Sequence, residues 1–337
     1  MPSIVGPKMA TTVSGVKLKG VNAEFFRTLM GRIEKEPQII RDMYAFTKSE
    51  GAEENHAQYT SMPAWEIWEY GDPRSWRALG EVTLNVANNR WQWGMKWDRE
   101  DRLDDRIGDL MKIANKAAAK YVTLRREVLI QMMTGNSSTR LLQAVPNCYD
   151  GESFFRSTAN SLGGTTGNTI TGKGFATPGA VIDSIFEGIE TFLSFTDTAG
   201  EQYWYDEDCG MENIRFFVGA RNLKVWNEVL KSTVIPAGIG NTSIVDNPLL
   251  NNKQAAQVGN FYFTPAITDN HIRMFNVSDP MVKPFMHQDR EAPQSFEQKA
   301  ENGSDIGIEY GKEALAFLAR FGSSPIEPRT GVLISNT

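Results

Sequence analysis

Cysteine is scarce in this chain. Only Cys148 and Cys209 are present, far apart and without metal-ligand spacing. No disulfide framework or cysteine-based metal centre follows from them, and two reduced thiols are expected. His56, His271 and His287 are the only histidines and are scattered, so no histidine-based metal motif is read either. No apolar run approaches the roughly 20 residues that a membrane span needs. The first residues, MPSIVGPKMATTVSGVKLKG, contain no apolar core of a secretory signal, so none is expected. Positive charge is also in deficit. The formal net charge is −6, which argues against a dedicated nucleic-acid reader while allowing the chain to lie beside nucleic acid. There is no internal repeat and no low-complexity tract.

What is present is an ordinary globular composition, 41% hydrophobic and 23% charged over 337 residues. That length is enough for two or three sub-domains. The dominant stretch is Asp98 to Gly135. Leu103, Ile107, Leu110, Ala114, Ala118, Tyr121, Leu124, Val128 and Met132 recur at steps of three or four, which predicts one apolar stripe on a long helix. Asp104 or Asp105 is the expected N-cap, and Gly135 suits the left-handed position after the last turn. From Asp105 to Thr134 the helix would be about 45 Å long. No comparably long partner follows, so a strut that other elements cross is favoured over a bundle arm.

Before the strut, residues 1–20 read as an extended arm. Asn22 is placed to cap a short helix with Phe25, Phe26, Leu29 and Ile33 on one side, and QIIRDMYAFTKS reads as a second short helix after Pro37. Residues 61–76 are turn-rich and carry Trp65, Trp68 and Trp76. Then Val82, Leu84 and Val86 alternate with polar neighbours, and so do Trp91, Trp93, Met95 and Trp97. With Asn88 and Asn89 between them, the two runs are expected to form a hairpin with a tight positive-φ turn. Such a ribbon is marginal alone in water and must lie on its own subunit or on another. Val82, Leu84, Val86, Trp91, Trp93 and Trp97 are therefore the candidate intersubunit contacts. An intrachain sheet core is the competing reading.

After the strut comes a glycine-rich loop region. Residues 178–266 read as a compact α/β block, with a helix from Pro178, strand ENIRFFVGA, helix RNLKVWNEVLKS and strand NFYFTPA. HIRMFNV, MVKPFMHQ, DIGIEYG and EALAFLARF are expected in a second sheet, with a Pro- and Gly-rich tail after Phe321.

No chemistry-bearing motif survives inspection. GNTITGKG, Gly167 to Gly174, has phosphate-loop spacing but Gly174 where Ser or Thr should reach Mg²⁺, and no strand precedes it. DEDCG at Asp206–Gly210 fails the calcium-loop pattern at Met211 and Phe217. There is no G-x-S-x-G or H-E-x-x-H. Carboxylates from Asp98 to Asp105 read as helix-dipole partners. Catalytic, cofactor and metal sites are expected to be absent.

PAWEIWEYG, KWDREDRLDD, CYDGESFFRSTAN, DNPLLNN, MVKPFMHQDREAP and IGIEYGKEALAF stand in one order between Tyr59 and Phe321. On these pieces the sequence resembles the major head subunit, or major capsid protein, of Mu-like tailed phages. The resemblance implies an α+β, HK97-like capsid fold with an N-terminal arm, an extended E-loop hairpin, and peripheral and axial domains, the peripheral one built on a long spine helix. The implied division is 1–58 for the arm and short helices, 59–97 for the E-loop, and 98–177 for the spine helix and glycine-rich loop. The axial domain would take 178–266, and 267–337 would return to the peripheral domain and tail. The implied function is self-assembly through hexamers and pentamers into an icosahedral head around double-stranded DNA. Implied partners are further copies of the chain, a portal, a decoration protein, and packaged DNA bound without sequence specificity, with no membrane. The run to Asn55 is short and lacks heptads, so a separate scaffolding protein is expected. The virion, with the host cytoplasm during assembly, is the implied location. The lysine–asparagine crosslinking of the fold's namesake has no matching motif here. Two other classes compete: a Trp-rich carbohydrate-active enzyme, with Trp65, Trp91 and Trp93 along a groove flanked by paired carboxylates, and an α/β ligand-binding module.

Overall fold

The computed structural model describes residues 13–61, 80–98, 107–136, 141–142, 144–158, 167–197, 200–236, 244–247, 249, 260–298 and 312–336. In chain order the first elements are α1 (Val13–Glu34), α2 (Gln38–Asp42), β1 (Tyr44–Lys48), β2 (Glu53–Ser61), β3 (Gly80–Ala87), β4 (Asn89–Asp98) and α3 (Ile107–Thr134). Then come β5 (Thr169–Thr171), α4 (Pro178–Leu193), β6 (Ile214–Gly219), α5 (Leu223–Lys231), β7 (Val234–Pro236), β8 (Ile244–Asp246) and β9 (Phe261–Thr264). The last strands are β10 (Ile272–Asn276), β11 (Phe285–Gln298), β12 (Lys312–Pro325) and β13 (Gly331–Ser335). The chain divides into two compact units. One comprises Met1–Glu36, Asn89–Arg126 and Glu291–Phe321; the other comprises Pro37–Asn88, Glu127–Arg290 and Gly322–Thr337.

The first unit is built where α1 and α3 pack beside a strand pair. Phe25, Leu29 and Ile33 recur every four residues on α1 and meet Ala117, Ala118 and Val122 of α3. Alanine at the crossing lets the two backbones approach, while Leu315 and Phe317 of β12 close the cluster. Phe25 stacks on Phe317 at 3.7 Å between ring centroids. β4 runs antiparallel to β12, with Trp93 opposite Phe317 and Met95 opposite Leu315. Period-two alternation puts Trp91, Trp93, Met95 and Trp97 half-buried on one face and Gln92, Lys96 and Asp98 in solvent on the other.

The second unit centres on a five-stranded sheet in the order β5-β13-β10-β6-β9. β10 is antiparallel to both β13 and β6, whereas β6–β9 and β13–β5 are parallel. Val181, Ile185 and Phe192 of α4 and Trp226 and Val229 of α5 pack with Phe216, Val218, Ile272, Met274, Val332 and Ile334 in one core. Thr177 caps α4 by accepting the Ala180 N–H, with proline at the first turn.

The long helix is present as expected. It holds 28 residues, and Gly135 at φ +69° ends it. Its expected acidic N-cap lies outside the described residues, as do Trp65, Trp68, Trp76 and DIGIEYG. The C-terminal end in the second unit is held by side chains. Arg273 donates Nε to the Met133 carbonyl at 3.0 Å, placing a buried cation on the negative end of the helix dipole. Arg273 is in turn gripped by Asp269 through two hydrogen bonds of 2.7 and 3.0 Å. Burial alone would raise the Asp269 carboxyl, but the Arg273 guanidinium and the His271 N–H outweigh it and hold its pKa below the usual value. A lowered carboxylate contributes stability above the unfolded pKa of about 3.9 and loses it as pH falls through the folded value. Asp269→Asn is therefore expected to lower stability by about 1 kcal/mol at neutral pH, a modest figure because the carboxylate is partly solvated. Urea unfolding across a pH series checks this. The difference from wild type should shrink below about pH 4 and vanish once Asp269 is protonated in both states.

Five expectations change. Residues 82–97 form no hairpin. β3 pairs antiparallel with β2, from Glu53 opposite Ala87 to Ser61 opposite Gly80, and β4 pairs with β12. Asn88 and Asn89 have no positive φ, so the chain passes straight from one pairing into the next. QIIRDMYAFTKS is helical only to Asp42, after which Tyr44–Lys48 pairs in parallel with β11. Asn22 lies inside α1, which starts at Val13, so residues 13–20 are helical rather than extended. HIRMFNV joins no second sheet: β10 is the middle strand of the five and is buried throughout. The segment after Phe321 is no tail either, because β12 runs to Pro325 and β13 is an inner strand of the same five-stranded sheet.

Candidate functional site

The β2–β3 ribbon is a two-stranded sheet of its own. Its root is pinned by polar groups of the second unit. The Glu54 carboxylate accepts hydrogen bonds from the Glu50 and Gly51 N–H groups at 2.7 and 2.9 Å and from the Ser49 hydroxyl at 3.1 Å. These donors, Gly51 first, hold its pKa below the usual value. The Asn88 N–H donates to the Ala52 carbonyl, and its side-chain amide donates to Ser49 and Gly51. Gln288, fully buried, donates to the Val86 carbonyl at 2.8 Å and to Asn88 Oδ1 at 3.0 Å. Its remaining oxygen lies 3.0 Å from His56 Nε2, so that ring nitrogen donates. Asn88 is thus a staple rather than a turn residue.

The six candidate contact residues fall into two groups. Leu84 and Val86 are buried with Tyr149, Met286 and Ile326, and Val82 packs at the edge of that cluster, all in the second unit. Trp91, Trp93 and Trp97 lie in the first unit. Trp91 stacks on Phe321 at 4.9 Å and donates its indole N–H to the Phe321 carbonyl. Trp93 tilts against Phe317 at 5.8 Å. Trp91 and Trp93 each therefore spend part of their surface on a ring of the same chain.

The glycine-rich loop is a packing device. A Cβ on Gly167 would stand 2.5 Å from the Arg156 carbonyl oxygen, and one on Gly172 would stand 2.1 Å from Asn336 Oδ1. Gly174 has φ +81° and donates its N–H to the same Asn336 oxygen. Lys173 turns to the carboxylates of α4, with Nζ 2.8 Å from Glu187 and 3.6 Å from Asp183. The residues that imitate a phosphate loop are therefore committed to seating β5 against β13 and α4. In the Asp206–Gly210 stretch, Asp208 accepts the Tyr205 N–H and closes a turn. Among the described residues no group of His, Cys, Asp and Glu side chains is arranged to hold a metal ion.

One constellation had no sequence signal: a buried charge knot from the expected tail. Glu327 and Arg329 are both buried and joined by hydrogen bonds of 2.8 and 3.0 Å. The Tyr149 hydroxyl donates to Glu327 at 2.9 Å and accepts from Arg329 at 3.0 Å. Arg329 also donates to the Thr196 carbonyl and lies 4.3 Å over the Tyr203 ring. The Trp204 indole donates to the Arg329 carbonyl at 2.8 Å. Burial, then the Glu327 charge, pushes the Tyr149 hydroxyl upward, so it stays protonated. Every strong donor and acceptor is used, which is the signature of a structural joint. Burial likewise raises both thiols, Cys209 to about 12, so neither is a thiolate nucleophile near neutrality.

Residues 18–178 match the family described as Mu-like prophage major head subunit gpT. No curated protein sequence matches. Solved structures do. The capsid of a native GTA particle superposes with a TM-score of 0.55 at 10% identity, covering 100% of this chain and 94% of that one. A structure from Microbacterium phage Oxtober96 gives 0.52 at 12% identity, covering 100% and 95%. The capsid of the cyanophage P-SCSP1u gives 0.50 at 11%, covering 88% and 87%.

Proposed function

We infer that this chain, which matches the Mu-like major head subunit over residues 18–178 and shares the fold of solved phage capsid proteins, is a phage shell subunit that closes into hexamers and pentamers around double-stranded DNA. The observation that carries this reading is the β2–β3 ribbon. Two strands alone are marginal in water; Leu84, Val86 and Val82 pack on residues of the second unit, and an adjacent copy supplies the further cover that a two-stranded sheet needs. We assign the E-loop role to this ribbon, the spine role to α3, and the axial role to the five-stranded sheet with α4 and α5. A shell tile must present non-identical edges so that heterologous contacts close. Apolar overlap then supplies most of the contact energy and polar rims set register. A scaffolding protein, a portal and a decoration protein complete the proposed partners. The virion is the proposed location, with assembly in the host cytoplasm.

Of the six expected contact residues, Leu84 and Val86 have almost no surface left to give a neighbour. The half-buried Val82, Trp91, Trp93 and Trp97 retain some, and we propose that a neighbour covers these four. Trp93→Ala is expected to impair assembly more than subunit folding. Circular dichroism and sedimentation together check it; an unfolded monomer would show that Trp93 serves only its own core. Negative-stain microscopy of protein co-expressed with its scaffold tests the function itself. Shells, tubes or hexamers are expected, and a monodisperse monomer under all conditions would overturn the reading.

A further inference from the structure

We propose that the groove between α1 and α3 binds the phosphodiester backbone of nucleic acid. The two helices carry nine Lys and Arg against four Asp and Glu, in a chain whose net charge is −6. The surplus is focused on a cleft of about 520 Å³ in the first unit, where Arg27, Arg32 and Lys35 of the α1 segment face Arg126 of α3. Two carboxylates offset part of it. Glu24 binds Arg27 at 2.7 Å, and Glu36 lies 3.7 Å from Arg126 and 3.9 Å from Arg125. Arg32 and Lys35 are exposed and have no carboxylate at ion-pair distance among the described residues. Lys116 and Lys120, also exposed, extend the cationic rim on the turns of α3 that precede Thr123.

The groove is shaped for a small, regularly repeated anion. Its floor is Thr28, Gly31, Ala119 and Thr123, and no atom lies within 4 Å of where a Gly31 Cβ would stand. The cations from Arg27 to Lys35 span about 12 Å of helix axis, the length of about three successive charges on one strand of a duplex. A peptide partner would need an apolar anchor point. The one aliphatic side chain larger than alanine in the lining, Val122, is already buried in the core of the unit. Arginine forks match phosphate oxygens with less loss of side-chain freedom per hydrogen bond than lysine. The site goes beyond enclosure of DNA, because it names a contact that unassembled subunits can make.

The test is anisotropy of a labelled short DNA duplex titrated with the unassembled full chain across a salt series. Four neutralised phosphates predict that log K falls against log salt with a slope of about −3 to −4. Arg32→Glu with Lys35→Glu should weaken binding more than tenfold and reduce the slope by about 2. Arg32→Gln with Lys35→Gln should give a smaller loss in the same direction. Arg221→Glu with Lys224→Glu, an equal charge change on exposed surface at the start of α5, should do little. Inorganic phosphate should compete only weakly if the backbone, rather than an isolated phosphate, is the ligand. Three results would overturn the proposal: absence of salt-dependent binding, a loss for Arg221→Glu with Lys224→Glu as large as that of the groove variant of equal charge change, or a poly-glutamate peptide that binds better than the duplex. Circular dichroism of each variant separates lost binding from lost folding. Failure here leaves the shell reading standing, since microscopy tests that separately.

Discussion

Glu327→Ala is expected to destabilise the protein by about 3–5 kcal/mol, because it strands a buried cation. Arg329 would keep its hydrogen bonds to the Thr196 carbonyl and the Tyr149 hydroxyl but lose its only carboxylate among the described residues. Tyr149 would lose its acceptor in the same step. The knot joins residues near 149, 196 and 203 to the segment that leads into β13, so its loss loosens an inner strand of the five-stranded sheet. Glu327→Gln keeps the shape and should cost less than the alanine variant. Removing both charges, with Glu327→Ala and Arg329→Met together, should recover part of the loss, because no unpaired charge then remains buried. Chemical denaturation of wild type, these three variants and Arg329→Met alone decides this. Additive losses in the double variant would show that the two side chains do not act as a pair.

Trp226→Ala is expected to cost about 3–5 kcal/mol, the range for removing a fully buried large aromatic side chain. Trp226 is 1% exposed on a nine-residue helix. Its ring lies 5.5 Å from Phe261, 5.8 Å from Phe175 and 5.9 Å from Phe263. A helix this short has little stability of its own, so α5 depends on that anchor. The expected readout is an early loss of near-ultraviolet dichroism in denaturant, together with loss of whatever assembly wild type shows by sedimentation. Trp226→Phe, which keeps an aromatic ring in the site, should restore most of the lost stability. Full stability of the alanine variant would mean that α5 is held by other contacts.

The ribbon illustrates how far the candidate site can be read from the chain. Alternation in Val82, Leu84 and Val86, and again in Trp91, Trp93, Met95 and Trp97, is a property of each strand alone, and both strands exist with those faces inward. Their partners are not legible there. Two alternating runs with Asn-Asn between them look like a hairpin because the local rule sees only neighbours. The true partners, β2 and β12, lie outside that window, and Asn88 is held by Ser49, Gly51, Ala52 and Gln288 instead of by a turn. β10 is not placed by local pattern for the same reason, since its buried run HIRMFNV fits any inner strand. The charge knot was hidden because Glu327 and Arg329 sit among Pro and Gly, a texture that reads as tail until Tyr149 and Tyr203 come beside them.

Local physical chemistry in the sequence therefore determined the long α3 helix with its glycine stop at Gly135, the α4 start at Pro178, and the faces of β3 and β4. These follow from period, capping and propensity over a few residues. Only the tertiary structure decided that β2 rather than β4 pairs with β3, that β10 and β13 lie inside the five-stranded sheet, and that Arg329 is buried with its countercharge. Strand pairing and charge burial join residues far apart in sequence, and their energies depend on which surfaces meet.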